Sequence, residues 1–294
     1  MDLKRQYIPG ENWLYFKVYC GPKFSDRILA CDILPFSVKL INENVIDKWF
    51  FIRYFDTDYH LRLRFHIINS NNLMYVISEF NKLIKEYIKV KFIWNISIET
   101  YNRELERYGE NAMEAAESVF FYDSQFISQL YPFFKGIDGE ELRWLIALRS
   151  INDILDLFYY TINDKYNLML QMKNAFEHEF NVGHDLEIHI QRKYRLSKDK
   201  IDFFLTSISI NIQLIDNIFF EKNRNLKKEV DYLISLQKKL GLSVTLNDYL
   251  WSIIHMMNNR VFRTQQRIHE LIIYSFLLFF YKSLLAKTNN NEQK

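Results

Sequence analysis

Residues Trp49 to His66 read WFFIRYFDTDYHLRLRFH, and this run decides the fold class. Trp49–Tyr54 and His60–His66 are rich in aromatic and branched apolar residues, which favour extended chain. Asp56-Thr57-Asp58 between them has the composition of a turn, so the run predicts a β-hairpin. Side chains on a strand alternate between faces. His60, Arg62, Arg64 and His66 therefore share one face of the second strand, and Leu61, Leu63 and Phe65 share the other.

The neighbouring segments extend this reading. Trp13–Tyr19 (WLYFKVY), bounded by Asn12 and Gly21-Pro22, predicts another strand, and the period-two alternation of Phe92–Tyr101 (FIWNISIETY) a further one. Between them, Phe24 to about Asn44 has apolar residues at helical spacing. Pro35 is expected to split it into two short helices, since proline lacks an amide donor and clashes with the preceding turn. Leu73–Ile88 predicts an amphipathic helix. After Gly109 the character changes: from Asn111 to about Leu285 the spacing is helical, with breaks expected near Pro132–Gly139, His178–His184, Asn223 and Gly241–Thr245. The fold class is therefore α+β, an N-terminal antiparallel sheet with packed helices followed by a mainly helical C-terminal half. With no pronounced linker and no internal repeat, residues 1–287 read as a single domain and Thr288–Lys294 as a frayed polar tail.

Composition excludes several function classes. The 294 residues carry 38 Lys plus Arg against 36 Asp plus Glu, a net charge of +2, which lacks the excess positive charge of a generic nucleic-acid binder. Two cysteines, Cys20 and Cys31, cannot build a disulfide scaffold and suit a reducing compartment. The opening MDLKRQYIPGENW has no apolar region of a secretory signal. Leu271–Tyr281, the longest apolar run, falls short of the roughly 20 residues that cross a bilayer. The expectation is a soluble cytoplasmic protein with no membrane partner. GxGxxG, Walker, HExxH and GxSxG patterns are absent, and the seven histidines form no metal-ligand spacing, so neither metal nor cofactor is expected.

Three segments can carry chemistry. On the strand, Arg62 and Arg64 place two guanidiniums side by side, a pair that repels unless an anion lies between or beside it, and guanidinium matches carboxylate bidentately. From spacing alone the ordinary reading of that face is a solvated one. Thr100–Gly109 (TYNRELERYG) sits where a strand ends, a common location for functional groups, although Glu104 and Arg107 also form an ordinary i,i+3 pair. Ser252–Arg260 (SIIHMMNNR) puts His255 and Asn259 on one helix face.

In order along the chain, WLYFKVY, WFFIRY–DTD–HLRLRF, TYxxELERYG, the AAESVFFYDS run at Ala115–Ser124 and HMMNNR resemble the C-terminal domain of lantibiotic dehydratases. That domain is also called the thiopeptide-type bacteriocin biosynthesis or glutamate-elimination domain, and the likeness runs from about Asn12 to past Arg260. The resemblance implies a lyase of antibiotic biosynthesis. In that family Ser or Thr of a ribosomally made precursor peptide is glutamylated from glutamyl-tRNA by a larger domain. The elimination domain then expels glutamate to leave dehydroalanine or dehydrobutyrine. The resemblance further implies a stand-alone elimination protein that works beside a separate tRNA-dependent glutamylation protein. It would bind a precursor peptide of leader plus core, bind no nucleic acid directly, and leave room for a homodimer.

The family's functional positions fall on Arg62, Arg64, Arg107 and His255 as catalytic residues. Glu104, His60 and Arg260 are the expected substrate contacts. Two positions depart from the pattern: Arg103 replaces the usual proline before Glu104, and Glu110 replaces a second glycine after Gly109. The implied alternative is a thiopeptide pyridine synthase, which joins two dehydroalanines in a formal [4+2] cycloaddition and releases the leader. That reaction has no glutamyl group for the arginines to hold. A third reading is a non-catalytic module that binds the leader peptide, to which the 17% aromatic content is suited.

Overall fold

The computed structural model describes residues 3–180, 183–206, 213–239 and 241–292. They fall into two compact units. One comprises the chain to Phe134 with Asp231–Thr264; the other comprises Lys135–Val230 with the chain from Gln265.

The first unit is built on the predicted hairpin. Strands β3 (Ile46–Phe55) and β4 (Tyr59–Ile67) pair antiparallel, β2 (Trp13–Cys20) lies on the other side of β4, and β5 (Ile93–Glu99) pairs with β2, giving the order β3-β4-β2-β5. A short ribbon of β1 (Gln6–Tyr7) and β6 (Tyr101–Asn102) completes the extended structure. On one face Phe16, Leu61, Leu63 and Phe65 are buried beneath α1 (Pro22–Ile28), α2 (Leu34–Asn42) and α3 (Leu73–Lys89). Phe16 stacks on Phe80 of α3 at 4.3 Å. The buried residues of α3 are Val76, Phe80 and Ile84, spaced by four, so one apolar stripe meets the sheet. Along β3 run α5 (Met113–Leu130) and α10 (Leu246–Val261), and the single turn α4 (Leu105–Tyr108) precedes α5.

The segment forms two short helices, α1 and α2, as expected, but without a break between them. A π-helical turn, Leu29–Ile33, joins α1 to α2 without a gap, and Pro35 sits in the first turn of α2. The wider turn accommodates a residue that cannot donate to the preceding carbonyls.

The second unit is helical: α6 (Gly136–Leu157), α7 (Ile162–Phe180), α8 (His184–Thr206), the part of α9 (Gln213–Lys239) up to Val230, and α11 (Gln266–Glu292). Asn223 does not break α9. Its amide donates to Asp153 Oδ2 at 2.9 Å, and a tertiary partner thereby overrides a local preference for turns. The break expected at Pro132–Gly139 lies earlier, at Tyr131–Lys135, and Gly136 opens α6. Residues 181 and 182, within the break expected near His178–His184, lie outside the described residues. Helix α11 packs against α6, α7 and α8, with Tyr274, Phe276 and Leu277 fully buried. Its stretch Gln266–Thr288 is long and apolar enough to cross a membrane, and 56% of the most apolar 18 residues in it are buried within the protein. Beyond Thr288 the backbone continues α11 to Glu292, and residues 293–294 lie outside the described residues.

Candidate active site

The second face of the sheet is buried around Arg64 and His60 and half-exposed around Arg62. Arg64 lies in register between Tyr15 of β2 and Phe50 of β3, and Tyr101 of β6 covers it from above. Its guanidinium carbon stands 4.4 Å from the Tyr15 ring centre, 4.7 Å from Tyr101 and 5.2 Å from Phe50, and the residue is only 7% exposed. The rings offer their negative faces to the cation. Among the described residues no carboxylate lies within 4.0 Å of Arg64 or Arg62, and Arg64 Nε has no hydrogen-bond partner. Burial pulls the Arg64 guanidinium below its ordinary pKa, with Arg62 adding to the effect and Tyr101, Tyr15 and Glu104 opposing it. A guanidinium remains charged in proteins, so this is a desolvated cation without a counter-ion.

Arg62 lies two residues along the same face. Its guanidinium lies 3.4 Å from the centre of the Tyr54 ring, and its Nε donates to His60 Nε2 at 3.3 Å. His60 is fully buried, with Tyr19 and Tyr54 rings at 4.8 and 5.7 Å. Its Nδ1 lies 3.0 Å from the carbonyl oxygen of Asp58. Since Arg62 can only donate, Nε2 accepts and Nδ1–H donates, which is the neutral tautomer. Burial likewise pushes the imidazole pKa down; Asp56, 3.9 Å away, opposes this only in part. His60 thus orients Arg62.

Segment 101–108 completes the surroundings. Arg103 donates from Nε and Nη2 to the two oxygens of Glu117, each at 2.7 Å, and the Tyr101 hydroxyl donates to the same carboxylate at 2.9 Å. Burial, then Glu117, pushes that hydroxyl's pKa up and keeps it a donor. The replacement of proline by Arg103 therefore anchors the loop to α5 through a buried ion pair. Gly109 leaves α4 at a φ of 82°, a left-handed turn that favours glycine, whereas the departing Glu110 is simply exposed. Glu104 and Arg107 pair at 3.0 Å on the surface. A narrow cavity of about 30 Å³ is lined by Phe50, Arg64, Tyr101, Glu104, Tyr108 and Met256, among others.

His255 is half-buried on α10, directly before Met256 and one turn before Asn259, which bonds both backbone groups of Arg53 on β3. Arg260 is placed differently. It is fully buried and donates to Ser124 Oγ at 3.1 Å, Asp123 Oδ2 at 3.3 Å and its own helix at the Met256 carbonyl. These contacts tie α10 to α5 and leave Arg260 outside the cavity lining. The structure therefore gathers Arg62, Arg64, Glu104 and His60 around one sheet face, with Arg107 joined to Glu104 and His255 beside a lining residue.

Sequence reasoning missed Arg53. It is buried and donates to Asp26 at 2.5 Å, to the hydroxyls of Tyr59 and Tyr131 at 2.7 Å each, to Ser25, and to the Arg260 carbonyl at 3.2 Å. Burial alone would lower its pKa, but Tyr131, Tyr59 and Asp26 hold it well above its ordinary value. The available signal was its period-two placement behind Trp49 and Phe51, on the apolar face. Among the described residues no group of three or more His, Cys, Asp or Glu side chains is placed to hold a metal ion.

This arrangement occurs in a chain with known relatives. It is 27% identical over 289 residues to the nisin biosynthesis protein NisB of Lactococcus lactis subsp. lactis, covering 94% of this chain and 26% of that protein. It is 25% identical over 272 residues to the subtilin biosynthesis protein SpaB of Bacillus subtilis, covering 90% and 25%. The chain thus spans about a quarter of the length of these relatives. In fold it is similar to the tRNA-dependent lantibiotic dehydratase MibB from Microbispora sp. 107891, with a TM-score of 0.70, 17% identity, and coverage of 97% of this chain and 29% of that one. It is also similar to the pyridine synthase TbtD from thiomuracin biosynthesis, with a TM-score of 0.60, 11% identity, and coverage of 92% and 99%. Residues 13–281 match the family described as the lantibiotic biosynthesis dehydratase C-terminal domain, and the chain belongs to that family.

Proposed function

We propose that this chain eliminates glutamate from glutamylated Ser or Thr residues of a ribosomally made precursor peptide, giving dehydroalanine or dehydrobutyrine. The observation that carries this reading is Arg64, a buried guanidinium with no carboxylate of its own, next to Arg62 on the same strand. A glutamyl ester brings one carboxylate in its side chain and generates a second as it leaves. Two neighbouring guanidiniums, one of them buried, suit both.

In the proposed step a base removes the α-proton of the esterified residue, the electron pair forms the Cα=Cβ bond, and the Cβ–O bond breaks to release the glutamate carboxylate. Arg62 and Arg64 hold the glutamyl group and neutralise the departing charge, and Arg107 extends this pairing from the surface side. His255 accepts the proton, a role that typically contributes about 10²–10⁴-fold. Glu104, which shares the cavity with Arg64, borders the bound adduct. His60 positions Arg62 and needs no contact with substrate, and Arg260 acts through α10. The peptide would be glutamylated first by a tRNA-dependent activity. Residues 1–287 act as one domain in this scheme.

The test is mass spectrometry of a leader-bearing peptide with a glutamyl ester on Ser, incubated with the protein. Loss of glutamic acid that disappears in Arg62→Ala and His255→Ala is the expected result. A second reading draws on the likeness in fold to the pyridine synthase. If the glutamyl peptide is untouched while a peptide with two dehydroalanines loses water and sheds its leader, cycloaddition replaces elimination. Inertness toward both, with retained binding, would leave the leader-binding module.

A further inference from the structure

The sheet has two edges, and among the described residues side-chain bonds to the backbone cover the β3 edge and not the β5 edge. On β3 the Phe51 amide donates to Ser124 Oγ at 3.2 Å. Asn259 accepts from the Arg53 amide at 2.8 Å and donates to its carbonyl at 2.9 Å. Strand β5 ends the sheet on the opposite side, and among the described residues no strand pairs with its outer edge. An open edge offers unpaired backbone donors and acceptors to an incoming extended chain.

Beside the start of β5 lies a cavity of about 820 Å³, within the size range of ligand sites. Phe24, Phe92 and Trp94 form its apolar wall. Phe24 and Phe92 stack at 5.0 Å, while Phe92 and Trp94 remain 49% and 47% exposed. Lys23, Arg27 and Lys91 also line it, and no acidic side chain does. Among the described residues no carboxylate lies within 4.0 Å of these three cations. Asp26, on the same helix as Lys23 and Arg27, is already paired with Arg53 and Arg263.

We propose that this cavity and the β5 edge together dock an extended acidic peptide, at a site separate from Arg62 and Arg64. The peptide backbone adds a strand to β5, and its alternate side chains fall on one face. Its carboxylates meet Lys23, Arg27 and Lys91, and a bulky apolar side chain covers Phe92 and Trp94. Charge complementarity selects an acidic partner, and the open strand edge selects a polypeptide, because a nucleic acid cannot use backbone pairing of this kind. The site goes beyond the elimination reading and does not depend on it.

Fluorescence anisotropy with a fluorescein-labelled synthetic peptide alternating Asp with Phe and Leu tests the site, with the same peptide carrying Lys for Asp as its control. The Asp peptide is expected to saturate the wild-type protein and the Lys peptide not to bind. Affinity should fall by at least about tenfold, or 1.4 kcal/mol, in the double variant Lys23→Glu/Arg27→Glu and in Trp94→Ala, and should persist in Arg62→Ala. All three replaced residues of the cavity are exposed, and circular dichroism checks that each variant is folded. The proposal is overturned if neither peptide binds, if both bind alike, if charge reversal changes nothing, or if Arg62→Ala abolishes binding. It is also overturned if an oligoribonucleotide displaces the peptide with the same charge dependence.

Discussion

Arg53, Arg103 and Arg260 on one hand, and Arg64 on the other, take the same group into the interior of the same unit with opposite provision. Arg53 faces Asp26, Arg103 faces Glu117 in bidentate geometry, and Arg260 faces Asp123. Each acid offsets the desolvation of its partner and fixes one element against another. Arg64 has aromatic faces instead, which attract a cation but do not neutralise it. The first three close the fold. Arg64 has no such acid within 4.0 Å among the described residues, and in the elimination reading proposed above the glutamyl group supplies the missing charge.

The sharpest way to break the comparison is to remove one member of each kind. Arg103→Ala leaves the buried Glu117 carboxylate without its counter-charge and should cost about 3–5 kcal/mol, read as the shift in a urea unfolding curve. A loss under about 1 kcal/mol would show that the Tyr101 hydroxyl suffices to hold Glu117. Arg64→Met, which keeps the bulk and removes an unpaired charge, should leave stability within about 1 kcal/mol while turnover of the glutamyl peptide falls by roughly 10²–10³-fold. Retained turnover with a large loss of stability would place Arg64 among the structural arginines.

Smaller effects sharpen the same contrast. Tyr54→Leu removes the ring beneath Arg62 and should raise KM roughly two- to thirty-fold with kcat little changed, matching about 0.5–2 kcal/mol. His60 supplies a pH dependence. Burial holds it below its ordinary value in the folded chain, while the unfolded chain titrates at about 6.5. Its stabilising contribution is therefore present above about pH 6.5 and fades as pH falls toward the folded value. Protonation would also turn Nε2 into a donor opposite Arg62, near Lys17, with the Asp58 carbonyl and Asp56 compensating only in part, so KM should rise on the same acidic limb. His60→Phe should flatten both profiles, while a residual slope in stability remains from His269, whose pKa burial also lowers. The smallest effect is that of Arg107→Ala on stability, at most about 1 kcal/mol, because its pair with Glu104 is exposed. A much larger loss of turnover in that variant would mark Arg107 as a ligand contact.

Much of the fold was legible before any coordinates. The hairpin at Trp49–His66, the strand from Trp13 and the helix from Leu73 appear where periodicity places them, because each buries a continuous apolar face that local spacing reveals. The discrepancies are local preferences overruled by tertiary partners. Asn223 finds Asp153 and continues its helix, and the π-turn before Pro35 carries the chain through a residue expected to divide it. For the site, strand alternation correctly placed Arg62 and Arg64 on one face beside His60. It offered no means of seeing that Arg260 is spent on Asp123 and Ser124, or that the unusual Arg103 is anchored by Glu117 fourteen residues away.

The sequence by itself determined which side chains share a face, since the two-residue period of a strand is a property of the backbone. It also determined that this chain carries the ordered motifs of its family. How far the Arg62–Arg64 face meets water depends on long-range packing. Tyr15 of β2, Phe50 of β3 and Tyr101 of β6, the last held by Glu117 of α5, converge on Arg64 from three separate stretches of chain. Burial and the supply of counter-charge depend on distant segments meeting in space, and no local pattern encodes that meeting.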